Sequence, residues 1–70
     1  MTEIINKRLA EEAFDTVDFF EEACRAIREH EIMPNDFDVC TVIFTSMNGR
    51  RVERVNVDSK SYRDFVEQNV

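Results

Sequence analysis

Val39-Cys40-Thr41-Val42-Ile43-Phe44-Thr45-Ser46-Met47-Asn48-Gly49-Arg50-Arg51-Val52-Glu53-Arg54-Val55-Asn56-Val57 reads as two β-strands joined at Asn48-Gly49. Asn-Gly between runs of Val, Ile, Thr and Phe is a strong hairpin signal, because a type I′ turn needs positive φ at both central residues. A two-residue loop sets Met47 against Arg50. The ladder then runs back through Thr45/Val52, Phe44/Glu53, Val42/Val55 and Cys40/Val57. One face carries Cys40, Val42, Phe44, Val55 and Val57, and the other carries Thr41, Ile43, Thr45, Val52, Arg54 and Asn56. A slip of one residue would set Val42 against Asn56 and scramble the apolar face. A two-stranded ribbon is marginal in water, so other elements must cover that face.

Upstream, residues 2–31 read as one long amphipathic helix. Ile5, Leu9, Ala13, Val17, Phe20, Cys24 and Ile27 recur at three- and four-residue steps and fall within about a third of a helical circumference. Thr2 is the expected N-cap. Pro34 ends the helix, since a residue before Pro is pushed out of the helical region. Phe37 is expected to enter the core ahead of the first strand. After Val57, Asp58 or Ser59 can cap a second helix over about residues 59–69, with Tyr62, Phe65, Val66 and Val70 on one face. The expected fold is α+β with the order αββα: a long N-terminal and a short C-terminal helix on one face of an antiparallel hairpin (about residues 38–57), in a single domain spanning residues 1–70.

Seventy residues with one Gly, one Pro and no repeat suit one small globular domain. No signal-like N-terminus or membrane-length apolar run is visible, so the cytoplasm is the expected compartment, that of the host cell if the chain is phage-encoded. Cys24 and Cys40 lack a second Cys or His at ligand spacing, and both fall on expected core faces as reduced thiols, with a disulfide between them open if helix and strand touch. His30 falls at a helix C-terminus, where capping or solvent contact outweighs catalysis. No Gly-rich phosphate loop or nucleophile–base pair appears, so no catalytic residue, metal ligand or cofactor is assigned and an enzyme is not expected. Arg50, Arg51 and Arg54 cluster near the turn without interleaved aromatics, which disfavours direct nucleic-acid binding.

Net charge is −6, and it is unevenly placed: residues 1–38 carry −7 and residues 39–70 carry +1. On the expected long helix, Glu11, Asp15, Asp18 and Glu22 form an acidic ridge opposite the apolar stripe, with Phe14 and Phe19 on its flanks. Like charges at that spacing repel by a few tenths of a kcal/mol per pair. A solvated face that keeps the protein soluble is one reading. The other is a partner-binding ridge, with one of the two phenylalanines as apolar anchor.

The segment Asn48-Gly49-Arg50-Arg51-Val52-Glu53, followed by Tyr62-Arg63-Asp64-Phe65-Val66, resembles the small head-tail joining protein W family of lambda-like phages. The resemblance covers about residues 48–69 and implies two helices packed on one hairpin. The leading expectation is a non-enzymatic, acidic protein-binding module, a small phage or mobile-element protein that inhibits or modulates a larger host protein through its basic, nucleic-acid-binding surface. The alternative is a virion-assembly component, connector-like, that forms a homo-oligomer through the mixed ribbon face around Ile43 and Val52.

Overall fold

In a computed structural model that describes residues 3–68, the chain enters as a β-strand where a helix was expected. Strand β1 (Glu3–Leu9) precedes helices α1 (Glu11–Thr16) and α2 (Phe19–Glu29) and a single 3-10 turn over Pro34–Asp36. Strands β2 (Val39–Ser46) and β3 (Val52–Asp58) and helix α3 (Ser59–Gln68) complete the order. Thr2 and Val70, to which the sequence reading gave helical roles, lie outside the described residues.

The single helix over residues 2–31 is therefore corrected to a strand and two helices. Ile5 and Leu9 are four residues apart, which is one turn of a helix but also two steps along one face of a strand. Ile4-Ile5 favours the strand, because β-branched side chains sit well on a pleated surface. The break between α1 and α2 falls at Thr16-Val17-Asp18. Val17 is extended, with φ −76° and ψ 145°. The Asp18 carboxylate accepts the Glu21 amide at 3.2 Å and so starts a new helix rather than continuing the old one.

The αββα hairpin architecture becomes a three-stranded mixed sheet of order β1-β2-β3. β1 runs parallel to β2, from Glu3 opposite Cys40 to Leu9 opposite Ser46. The hairpin keeps the expected register, with Thr45/Val52, Val42/Val55 and Cys40/Val57 opposed. Its turn is wider than the expected two-residue loop. Ser46 pairs with Arg51 through an amide-to-carbonyl bond of 3.0 Å, and the Gly49 amide reaches the Ser46 carbonyl at 2.9 Å. Within this loop Gly49 alone takes positive φ, at 75°. The Asn48 side chain holds the loop by accepting the Ser46 hydroxyl at 2.6 Å and the Arg50 amide at 3.0 Å. Two- and four-residue loops centred on the same bond give the same register, which is why the strand pairing was readable although the turn type was not.

All three helices lie against one sheet face. Ile5, Cys40, Val42, Phe44 and Val57 meet Ala23, Cys24, Ala26, Ile27, Phe37 and Tyr62 in the core. Phe37 is buried as expected, 5.7 Å from the Tyr62 ring. The Tyr62 hydroxyl donates to the Ile32 carbonyl at 3.0 Å. α2 ends in a paired-carbonyl motif, with the Ile32 amide on Ile27 and the Glu31 amide on Arg28. Glu31 takes φ 59° there, a left-handed position that usually falls to Gly.

Which peptide groups of β1 face β2 follows from one bond: the Met47 amide donates to the Leu9 carbonyl at 3.0 Å. Peptide groups alternate along a strand, so Ile5, Lys7 and Leu9 turn theirs toward β2, and Ile4, Asn6 and Arg8 turn theirs to the open edge. Hydrogen exchange should separate the two sets. Slow amides at Ile5, Lys7 and Leu9 beside fast ones at Ile4, Asn6 and Arg8 are expected, whereas a helix would protect them without regard to parity.

Candidate functional site

The four acids of the expected ridge do not share a helix. Glu11 and Asp15 lie on α1 and face the hairpin loop, where the Arg51 guanidinium sits 2.8 Å from Asp15 and 3.8 Å from Glu11. Arg51 also lies 5.3 Å over the centre of the Phe14 ring. The hydrogen bond from Arg51 to Asp15 is the main influence raising the guanidinium pKa above its usual value. These two acids thus clamp α1 to the loop. Asp18 caps α2, and Glu22, also on α2, pairs with Arg25 at 3.5 Å.

The flanking phenylalanines are placed inward. Phe14 is 8% exposed, and its ring meets Phe19 edge-on at 5.4 Å. Phe19 in turn lies 5.4 Å from Phe44 and packs on the core. Phe20, which the helical stripe placed at the centre of the core, is instead 43% exposed. With α2 starting afresh at Asp18, its buried side runs through Phe19, Ala23, Cys24, Ala26 and Ile27, and Phe20 turns away.

Phe20 opens into a groove of about 400 Å³ between α2 and α3, shared with Glu21, Ser61, Asp64, Phe65 and Gln68. Two capped helix starts build it. Asp18 fixes the start of α2. Asp58 fixes that of α3 by accepting the Ser61 amide at 3.2 Å and the Ser61 hydroxyl at 2.7 Å. Those two bonds hold the Asp58 pKa below the ordinary carboxylate value. Glu21 is paired with Arg25 at 3.0 Å, while Asp64 has no ion pair among the described residues. The groove therefore offers an aromatic floor under an acidic rim.

Among the described residues no helix covers the opposite sheet face. Ile4-Thr41-Asn56, Asn6-Ile43-Arg54 and Arg8-Thr45-Val52 form three rows across it. Thr41 donates to Asn56 at 2.8 Å within the first row. Ile4, Ile43 and Val52 run diagonally from corner to corner, Ile4 being 61% and Val52 64% exposed. Arg8 and Arg54 flank this diagonal. Neither has an ion pair among the described residues, and no acid lies in the three rows.

No family model, curated protein or solved structure matches this chain. None of these comparisons bears on the head-tail joining resemblance. Among the described residues no cluster of His, Cys, Asp or Glu could hold a metal ion, and no helix is long and apolar enough to cross a membrane.

Both thiols and the Tyr62 ring are buried in the core. Burial, reinforced by Asp18, Asp58 and Glu21, pushes the Cys24 thiol up to about 11, and burial also raises Cys40 and Tyr62. Because the folded state holds the thiol proton more tightly, Cys24 contributes stability that is complete below its ordinary value of 9.0 and lost as pH rises to about 11. The midpoint of thermal unfolding should fall across that window. Cys24→Ala should flatten part of the fall, and an unchanged pH profile in this variant would remove Cys24 as its cause.

Phe20 and Asp64 were missed as site residues. Glu21 beside Phe20 was the only local signal, an aromatic–acid pair at the start of a helix. The rest of the groove depends on α3 lying next to α2.

Proposed function

We propose that this protein is a non-enzymatic binding module that engages a basic surface on a larger protein and so inhibits or modulates it. The observation that supports this reading is the α2/α3 groove. Its floor is a large aromatic side chain, Phe20, 43% exposed between two helices, and its rim carries Glu21 and Asp64. A partner segment with an apolar side chain flanked by Lys or Arg complements both features, the apolar contact giving affinity and the charge giving rate and specificity. Glu11, Asp15, Asp18 and Glu22 serve this reading as a general acidic field rather than as contacts, since none of them lines the groove. A place in phage or mobile-element biology rests on the resemblance of residues 48–69 alone.

The test is retention from a host lysate on the immobilised protein at low and high salt, with wild type and Phe20→Asp side by side. A protein held at low salt, released at high salt and lost with Phe20→Asp is the expected result. Retention indifferent to salt or to Phe20 would sink the proposal.

A second reading, a particle-assembly component that works as a homo-oligomer through the ribbon face around Ile43 and Val52, is favoured by the apolar diagonal that joins those two residues to Ile4.

A further inference from the structure

We infer that the groove between α2 and α3 takes the open sheet face of a second copy of this chain, so that the protein assembles head to tail. The inference rests on the reading of the groove as a site for an apolar, basic surface, and it names a surface of that kind. The open face carries an apolar diagonal, Ile4-Ile43-Val52, between Arg8 and Arg54. The groove carries Phe20 between Glu21 and Asp64. Apolar centre thus matches apolar centre, and cations without an ion pair meet a rim on which Asp64 likewise has none among the described residues and Glu21 shares Arg25 with Glu22.

The two surfaces lie on opposite sides of the molecule, because every helix packs on the sheet face that Cys40, Val42 and Phe44 share, while Ile43 points the other way. Face-to-face stacking of two open sheets would set four arginines in one interface, and the acid at the end of that face, Asp58 opposite Val39, is already engaged by Ser61. Joining the open face to the groove avoids that repulsion. A contact between two different patches cannot close on itself as a two-fold dimer, so it propagates until it forms a ring or a filament.

Sedimentation velocity decides the question. Wild type should gain mass beyond a dimer as concentration rises through the micromolar range, and should lose that mass in high salt. Phe20→Asp blocks the groove. Val52→Asp blocks the face, and Arg8→Glu with Arg54→Glu provides a second block there should Val52→Asp fail to fold. Each blocked protein alone should sediment as a monomer. An equimolar mixture of a groove-blocked and a face-blocked protein should yield a dimer and nothing larger, because one intact groove and one intact face remain.

A wild type that stays monomeric overturns the inference, as does a mixture that stays monomeric or a single blocked variant that still dimerises. The wider reading fails separately. A monomeric wild type that still holds a lysate protein through Phe20 leaves the binding module standing, with a partner other than itself.

Discussion

Phe44→Ala is expected to leave the protein largely unfolded at room temperature. Phe44 sits on the central strand with no exposed surface, between Lys7 on one neighbour and Glu53 on the other, and its ring meets Phe19 of α2 at 5.4 Å. Truncating a buried Phe costs about 3–5 kcal/mol, the lost transfer energy plus that of a cavity the surroundings only partly fill. A domain of this size has a total stability of roughly 3.5–10 kcal/mol. The loss is therefore comparable with the whole. Thermal and urea melts followed by far-ultraviolet circular dichroism measure it. A variant melting within about 4 °C of wild type, a shift worth less than roughly 1 kcal/mol in a domain this small, would show that β2 does not centre the core.

Phe19→Ala and Phe20→Ala, adjacent changes of identical chemistry, should differ sharply. Phe19 touches Phe14 at 5.4 Å and Phe44 at 5.4 Å, and so ties α1, α2 and the sheet into one cluster. Its removal should cost about 3 kcal/mol, the lower end for a Phe truncation because the ring keeps some exposure. Phe20 is 43% exposed and lies outside the core cluster. Its truncation should cost less than about 1 kcal/mol. Melts of the two variants in parallel settle the ranking. The reverse order would mean that α2 is turned by one position, which would place the groove's aromatic floor in the core. The same pair separates stability from function, since only Phe20→Ala should weaken binding in a protein that still folds.

Much of the C-terminal half was legible because its signals are local. Alternation over Cys40–Phe44 and Val55–Val57 fixes which residues face the helices, and a one-residue slip would expose them. Tyr62, Phe65 and Val66 lie at helical spacing behind Asp58, so α3 was readable, and the structure chose Asp58 over Ser59 as its cap. The burial of Cys40 followed from the same alternation and that of Phe37 from its place ahead of β2, while Cys24 was placed inward by a stripe of which its part of α2 survives. The N-terminal half misled through one coincidence of spacing, since Ile5 and Leu9 fit a helix and a strand equally. Asp18 was a second ambiguity. A single acid was readable as one more member of a helical ridge, although its carboxylate begins a new helix and shifts every later side chain to a different side. The candidate site inherits both errors: Phe14 and Phe19 moved inward, Phe20 outward, and the acidic ridge divided among α1, a cap and α2.

By itself, then, the sequence determined the hairpin register, the C-terminal helix, the two reduced core thiols and the concentration of acid in the first 38 residues. Each depends on neighbours in the chain or on composition. The tertiary structure alone decided that residues 3–9 are a strand and that α2 and α3 enclose a groove. The reason is that a strand's hydrogen bonds are made with another segment. β2 paired only with β3 would leave one edge unpaired, and β1 completes that edge from the far side of residues 10–38. The β-branched pair Ile4-Ile5 suits a strand but does not specify β2 as its partner, and nothing local to Phe20 records that Asp64 will share its groove.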